Sequence, residues 1–189
     1  MKRIRLSPTM PLGVALLLTA GCGYNTIQTL DERVNQARGQ IETQLQRRAD
    51  LIPNLVETVK GITKQEDTVF ISIANARARL SGAVQAKDVQ GMAAANDQLS
   101  AGLARLLAIS ENYPQLRSSE NFKQLQDQLE GTENRIAVAR TDYNAAVAEF
   151  NAYIRRFPYN LTAKIFGLDK PRPYFQAEAG AKEVPKVKF

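Results

Sequence analysis

The sequence contains no histidine, no tryptophan and a single cysteine among its 189 residues. Without histidine the chain has no imidazole general base, no Ser-His or Cys-His nucleophile pair and no histidine-ligated zinc, haem or di-iron site. A single cysteine excludes an internal disulfide and a cysteine-clustered metal site. We therefore expect a protein that is not an enzyme and that holds no cofactor and no metal ion.

The excess of basic over acidic residues is also small once the N-terminal segment is set apart. The chain carries 25 Lys and Arg against 19 Asp and Glu, but Lys2, Arg3 and Arg5 fall in a segment that we interpret as a leader. The remainder has 22 basic and 19 acidic residues, a net charge of +3. Because basic and acidic residues are interspersed and form no basic stripe, we expect no nucleic-acid partner.

Residues 1–21 have the zones of a signal peptide. A basic start is followed by an apolar stretch over residues 10–20, which ends in small residues just before Cys22. A membrane-spanning helix needs about 20 apolar residues. Pro8 and Pro11 interrupt this shorter stretch and polar residues follow it directly, so a membrane span is the weaker interpretation.

The single cysteine lies where a lipoprotein signal would place it. Residues 18–22, Leu-Thr-Ala-Gly-Cys, resemble the bacterial lipobox, although Thr19 stands where Leu is most common. The lipobox cysteine is linked to diacylglycerol and becomes the acylated N-terminus, and two or three acyl chains give stable attachment where a single chain gives only marginal attachment. The alternatives are a simple secreted protein or an uncleaved anchor with an incidental cysteine.

These features predict where the chain is attached. We expect a lipoprotein signal peptide over residues 1–21, a palmitate-type lipid on Cys22 and a short tether over residues 22–27. The protein would then be anchored through Cys22 on the periplasmic side of the cell membrane or outer membrane of a bacterium.

Apolar residues in the last long segment recur at helical spacing. From Phe122 to Phe157 the spacing alternates between three and four residues without a break, which predicts one long helix that begins near Ser119 and is stopped by Pro158. The predicted seam comprises Phe122, Leu125, Leu129, Thr132, Ile136, Ala139, Tyr143, Ala146, Phe150, Tyr153 and Phe157.

The first part of the mature chain shows the same period over residues 27–52 and again over residues 51–80, with Pro53 inside the pattern. Either Asp50 caps a new helix that has Pro53 in its first turn, or one long helix kinks there. We favour a kink or a tight break without a hairpin, because no Gly or Asn turn cluster lies nearby to reverse the chain.

Three further segments are predicted after a break at residues 81–83. A third helix runs from the capping residue Asp88 to about Asn112, with Met92, Leu99, Leu103, Leu106 and Leu107 on its buried side. A short helix over residues 161–166 is capped by Asn160 and closed by Gly167. The proline-rich residues 169–189 form an extended tail that lies on the bundle through Tyr174 and Phe175.

Amphipathic helices bury their stripes against one another, and these lengths favour antiparallel packing. We therefore expect an all-α fold: an elongated antiparallel helical bundle of three to four long helices over residues 28–168, with the first helix kinked near Pro53.

Several motifs resemble those of one bacterial family. Residues 47–56, RRADLIPNLV, resemble the hallmark RRxDLIPNLV of the LemA family, and residues 130–136, EGTENRI, match its E-x-T-E-N-R-I stretch. Further matches in family order are ENYP at 111–114, SENF at 119–122, YN at 143–144, FN at 150–151, RRFP at 155–158 and RPYF at 172–175.

The resemblance covers about residues 24–189 and implies a helical bundle tethered to a bacterial membrane by an N-terminal anchor. Relatives are linked to envelope proteolysis or to magnetosome membranes, and the resemblance implies no agreed activity. Many relatives carry an N-terminal transmembrane helix, whereas this leader ends in the lipobox-like Cys22.

Two groups of polar residues lie in or near the family motifs. We expect them to meet in a buried network that fixes helix register, with Asp50 or a Glu paired to an Arg; the alternative is a polar groove that binds a peptide or a glycan. Glu130 and Glu133 share one helix face and offer no cleft for acid–base catalysis. The cluster comprises Arg47, Arg48, Asp50, Asn54, Glu57, Glu130, Glu133, Asn134 and Arg135.

A basic group lies at the end of the long helix. Arg155, Arg156 and Lys164 are either solvated side chains that favourably meet the helix dipole or contacts to anionic lipid headgroups or lipopolysaccharide phosphate.

The leading hypothesis is a membrane-tethered, non-enzymatic scaffold or protein-interaction module of the cell envelope, whose protein partners and oligomeric state the sequence does not name. The alternative hypothesis is an envelope-located module that binds a small ligand or a polymer through the polar cluster near residues 47–57.

Overall fold

The computed structural model describes residues 10–61 and 67–176, with side chains from residue 23 onward except that of Asp67. Within these ranges the chain is all-α and has no β-strand, so the predicted helical fold is confirmed. The helices are α1 (Met10–Lys60), α2 (Asp67–Ala86), α3 (Val89–Ser110), α4 (Pro114–Ser118), α5 (Glu120–Tyr153) and α6 (Tyr159–Ile165).

The helices form two compact units. Unit 1 takes in Met1–Gln36 and Ala145–Arg172, and unit 2 takes in Ala37–Asn144 and Pro173–Phe189. The leader residues 1–9 and the side chains of residues 10–22, including that of Cys22, lie outside what the structure describes. From residue 23 onward, where the structure describes side chains, none of the helices contains a membrane-spanning segment.

Unit 1 packs the first part of α1 against the end of α5 and against α6. Its core residues are Ile27, Leu30, Val34, Val147, Phe150, Ile154 and Ala163. Polar contacts surround this core: Arg33 pairs with Glu149 at the surface, and the Arg172 guanidinium donates to Asp31 Oδ1 at 2.6 Å. The Asn151 side chain also exchanges two hydrogen bonds with the backbone of Arg172.

Unit 2 is built from the later part of α1, from α2, α3 and α4, and from the first part of α5. The apolar positions predicted for α1 are buried. On α3 the predicted Met92, Leu99, Leu103 and Leu106 are buried and complete the core. The buried side chains include Ile41, Leu45, Ile52, Leu55, Val59, Ile73, Leu80, Met92, Leu99, Leu106, Phe122, Ile136 and Tyr143.

Pro53 lies inside α1, which is helical on both sides of it. One continuous helix through Pro53 is therefore confirmed, its kink stays a prediction, and the alternative of a new helix capped by Asp50 is wrong. The Asp50 side chain instead accepts a hydrogen bond from Gln46 one turn earlier, at the surface.

The expectation of one helical segment over residues 51–80 is wrong, because α1 ends at Lys60 and α2 begins at Asp67. The two helices run antiparallel, since Lys60 Nζ lies 5.2 Å from the Phe70 ring centroid while Arg77 reaches back to Ala49. The apolar period of α2 follows that of α1 in phase, and this similarity conceals the reversal in the sequence pattern.

The predicted break at residues 81–83 is also wrong, because α2 continues through them to Ala86. The chain turns at Lys87, whose φ is +55°, and Asp88 then caps α3 by accepting a hydrogen bond from the Gln90 N–H at 3.2 Å. The predicted cap and third helix are thus confirmed, while the turn comes later than the Ser-Gly pair suggests.

The long helix α5 ends at Tyr153, and Phe157 is 80% exposed and lies beyond it. Beyond Tyr143 the predicted Phe150 is buried, but Val147 and Ile154 are buried in place of the predicted Ala146 and Tyr153, so the seam shifts by one residue at these two positions. A straight α-helix drifts by about 20° per heptad against a strict 3.5-residue repeat, which accounts for this shift after several heptads.

The short helix α6 contains Asn160 within it and so is not capped by that residue. Gly167 closes it as predicted, with a φ of +68° that favours glycine. In unit 2 the tail is held through Phe175, which is buried, whereas Tyr174 is exposed. Residues 177–189 of the predicted tail lie outside the described residues.

Candidate functional site

Arg48 is the centre of the polar cluster. It lies on α1 with only 4% of its surface exposed, and it contacts two other helices. Its Nη1 donates to Asn96 Oδ1 on α3 at 2.7 Å and also pairs with Glu133 Oε2 on α5. One side chain therefore joins three helices of unit 2.

Burial governs the electrostatics of this group. Desolvation lowers the pKa of Arg48 from its ordinary value, while the carboxylates of Glu133 and Asp97 oppose that effect. An arginine keeps its charge in proteins because its ordinary pKa is so high. The Glu133 side chain is 45% exposed, so water still solvates one partner of the pair. The arrangement holds a permanent buried cation against a carboxylate that faces solvent.

A cavity of about 280 Å³ adjoins this pair. Arg48 Nε and Ser100 Oγ are buried there and lack a hydrogen-bond partner among the described residues. The cavity is thus an apolar space with unsatisfied polar groups at its wall. Its lining residues are Arg48, Leu55, Ser100, Leu103, Ala104, Leu107, Gln126, Leu129, Glu130 and Glu133.

The other hallmark residues of α1 do not join the network. Arg47, Asp50, Asn54 and Glu57 are all exposed. The expected pairing of an Arg with a Glu is present, but the Glu is Glu133 and the alternative partner Asp50 is not involved. The apolar period of α1 places Arg48, and not Arg47, beside the buried positions 45, 49 and 52, so the sequence carried a signal that separates the two arginines.

Asn134 and Arg135 lie on a different face of α5. They line a surface groove of about 340 Å³ together with Gln40 and Gln44 of α1 and with Val138, Ala139 and Asp142 of α5. Val138 is 61% exposed, which is high for a large apolar side chain. The structure therefore divides the predicted cluster between a buried network and an open groove.

Pro53 leaves a backbone carbonyl of α1 without its helical hydrogen bond, and a side chain of α2 that the sequence did not identify takes the place of the missing donor. Proline has no N–H, so the carbonyl of Ala49, four residues earlier, loses its helical hydrogen bond. Arg77 Nε of α2 donates to that carbonyl at 2.8 Å. The hallmark proline thus creates an acceptor on α1 that α2 uses to dock.

The basic residues Arg155, Arg156 and Lys164 lie at the surface of unit 1. Lys164 is part of α6, and the two arginines precede that helix. In the same unit the Tyr159 ring stacks on Tyr153 with centroids 4.4 Å apart. Tyr24 of α1 contacts Phe166, with ring centroids 4.5 Å apart.

Sequence reasoning missed Asn96, Asp97 and Ser100. A signal for Asn96 was present, since it falls between Met92 and Leu99 at the spacing of the buried stripe and is itself 1% exposed. A polar residue at such a position needs a buried partner. Ser100 shares the helix side of Leu103 and Leu107 and so carried the same signal, whereas Asp97 did not.

Comparison with known proteins gives one consistent result. The family model described as LemA family matches residues 37–189. The chain is similar to magnetosome protein MamQ 2 of Paramagnetospirillum magneticum, with 30% identity over 92% of this chain and 72% of the relative. It is also similar to magnetosome protein MamQ of Magnetospirillum gryphiswaldense, with 26% identity over 88% of this chain and 70% of the relative.

Proposed function

Since this chain belongs to the LemA family, we propose that it is a membrane-tethered, non-enzymatic scaffold of the cell envelope that presents its helix surfaces to protein partners. The tether is taken from the lipobox-like Cys22 and its leader. The absence of histidine from the whole sequence supports a role without acid–base chemistry.

The scaffold role is supported mainly by the contacts of Arg48 with two neighbouring helices. This buried cation is committed to Glu133 and Asn96 on two neighbouring helices. Such ties fix the register of packed helices at little net gain in stability. The family motifs around Arg48 and Glu133 therefore serve to hold the bundle in shape, and the open surfaces are left for partners.

The groove around Val138 is the surface that we assign to a protein partner. It combines an exposed apolar side chain with the amide and charged groups of Gln40, Asn134, Arg135 and Asp142. A mixture of an apolar centre and a polar rim is typical of protein interfaces.

Site-specific photo-crosslinking in cells tests this assignment. A photoreactive residue replaces Val138 in the groove, and in a control variant it replaces Asp127, which is exposed on the same helix outside the groove. We expect a discrete crosslinked protein at position 138 and none at 127. Equal crosslinking at both positions, or none at either, would count against the scaffold role.

A second candidate function follows from the cavity beside Arg48. Its apolar walls and the unpartnered Ser100 Oγ and Arg48 Nε fit a small ligand with an apolar body and a polar end. Glu130 and Glu133 at the same cavity favour a neutral or cationic end over an anionic one.

Binding of the neutral dye N-phenyl-1-naphthylamine tests the cavity. Ala104→Phe fills the lining, while Ala101→Phe places the same ring at an exposed position of α3 outside it. If the cavity takes a ligand, dye fluorescence falls for Ala104→Phe and stays unchanged for Ala101→Phe. Equal dye fluorescence in the wild-type chain and in both variants would exclude the cavity as the binding site.

A further inference from the structure

The α6 region, which we define as residues 155–170, exposes large apolar side chains: Leu161 and Ile165 lie one turn apart on α6, and Phe157 precedes the helix. Phe157 is 80% exposed, Leu161 is 53% exposed and Ile165 is 75% exposed. On the opposite side of the same helix, Thr162 and Ala163 are buried against unit 1. The region therefore exposes apolar side chains to solvent in addition to the residues that it buries.

Basic side chains flank this apolar stripe. Arg155, Arg156, Lys164 and Lys170 are all exposed, and Asp169 is the single acidic residue between positions 155 and 170. An apolar strip bordered by cations complements a surface that offers both acyl chains and negative charge. An anionic lipid bilayer has both properties.

The same region lies beside the predicted lipid attachment point. Gly23 packs so closely on α6 that a Cβ there would come within 2.6 Å of Tyr159 Cδ1, and Tyr24 contacts Phe166. Cys22 directly precedes these two contact residues in the chain. A lipid on Cys22 would therefore hold α6 at the membrane surface, where a tether makes even weak contacts effective.

We propose that the face of the α6 region formed by Phe157, Leu161 and Ile165, with Arg155, Arg156 and Lys164, binds the interface of an anionic phospholipid bilayer. The proposal deepens the proposed function and rests on its tether for the placement of α6. The apolar side chains enter the boundary between headgroups and acyl chains, while the cations meet lipid phosphates. Each cation near such a surface strengthens binding by about fivefold.

The lack of tryptophan makes a clean test possible, because a single introduced indole reports on one position. The full chain with Ile165→Trp is mixed with vesicles of phosphatidylglycerol and phosphatidylcholine, or of phosphatidylcholine alone. The control is Val138→Trp, which replaces an apolar residue of similar exposure in unit 2. Emission wavelength and quenching by brominated lipids are recorded.

We expect the indole at position 165 to shift to the blue and to be quenched by brominated lipid in anionic vesicles, with little change at position 138. No shift at position 165 overturns the proposal, as does an equal shift at both positions. If this surface binds a protein instead of lipid, the indole at position 165 will also show no shift with protein-free vesicles.

A charge-reversal pair tests the electrostatic part. Arg155→Glu with Lys164→Glu should weaken partition into anionic vesicles by at least about tenfold. The control, Arg105→Glu with Lys123→Glu, makes the same change in net charge at exposed positions of unit 2 and should alter partition less than about twofold. If both pairs weaken partition equally, the effect comes from net charge alone and the proposed binding surface is overturned.

The outcomes separate this proposal from the tether. Acylated Cys22 in cells together with an unshifted indole at position 165 means that the tether stands and the surface fails. A blue-shifted indole at position 165 in a Cys22→Ser chain means that the surface binds lipid without the tether.

Discussion

Arg48 illustrates how a single buried charge can organise a helical protein. Its partner Glu133 is 45% exposed, so the two ends of the ion pair face different surroundings. Loss of the carboxylate leaves an uncompensated cation in the interior, whereas loss of the cation leaves a carboxylate that water can solvate. The two single substitutions should therefore differ in cost.

We predict that Glu133→Gln lowers the free energy of unfolding by about 2 kcal/mol, because Arg48 keeps its buried charge without its counterion. Arg48→Met should cost less, about 1 kcal/mol, through the lost hydrogen bond to Asn96. Adding Arg48→Met to Glu133→Gln should then restore part of the stability. Urea unfolding of the three variants measures these differences.

The matched control is the exposed ion pair between Arg33 and Glu149, whose side chains are 59% and 57% exposed. Arg33→Met and Glu149→Gln should each change stability by less than about 1 kcal/mol, with no recovery in the double variant. If Arg48→Met further destabilises Glu133→Gln, the uncompensated-cation explanation is wrong.

At the residue scale the sequence indicated the right chemistry but not all of the right partners. Arg48 and Glu133 were both among the predicted residues, and a Glu paired to an Arg was expected. Their neighbours Arg47 and Asp50 have equally suitable side chains, yet they lie on the exposed side of α1. Which of two adjacent polar residues is buried depends on helical phase and on packing partners, and Asn96 comes from a helix far away in the chain.

At the scale of elements, the packing of α2 on α1 depends on Pro53, although a proline inside a helix ordinarily destabilises that helix. Pro53 frees the Ala49 carbonyl, and Arg77 of α2 donates to it at 2.8 Å. This hydrogen bond gives α2 a fixed place along α1. It also explains how a helix interior tolerates proline, because the lost helical bond is replaced by a side chain from the neighbouring helix.

We predict that Arg77→Met lowers the free energy of unfolding by about 1–2 kcal/mol, because the buried Ala49 carbonyl loses its remaining partner. In a Pro53→Ala background the new N–H can bond that carbonyl within the helix, so the same Arg77→Met change should cost clearly less. A double-mutant cycle by urea unfolding measures this coupling.

Arg79→Met is the control for this cycle, since Arg79 is exposed on the same helix and bonds the Gln98 side chain. It should show no coupling to Pro53→Ala. Additive effects of Arg77→Met and Pro53→Ala would contradict the proposed exchange of donors.

The elements that the sequence predicted best were those with long, regular periods. Both α3 with its Asp88 cap and the seam of α5 up to Tyr143 were predicted correctly. The errors lay at turns: Gly61, which directly follows the last residue of α1, is a helix-stop signal that the prediction did not use. The turn at Lys87 carries little of the usual turn chemistry, while Ser81 and Gly82 carry it inside a helix. Packing of α2 against α3 outweighs the weak local preference of those two residues.

At the scale of the whole molecule, the helical periods predicted the all-α fold, which the observed helices confirm. The family motifs predicted the LemA relationship, which the family match over residues 37–189 confirms. The tether was predicted from residues outside that match. Its placement next to α6 could not be foreseen, because the contact of Tyr24 with Phe166 joins residues 142 positions apart in the chain. The proposed envelope location depends on attachment at Cys22, and the lipid surface assigned to α6 can be tested separately.

Metabolic labelling of cells with a palmitate analogue, followed by membrane fractionation, tests this attachment most directly. We expect the wild-type chain to be labelled and to stay in the membrane fraction, and we expect Cys22→Ser to abolish both the label and the detergent-dependent attachment. A wild-type chain that takes up no label, or a Cys22→Ser chain that is labelled equally, would contradict the proposed attachment.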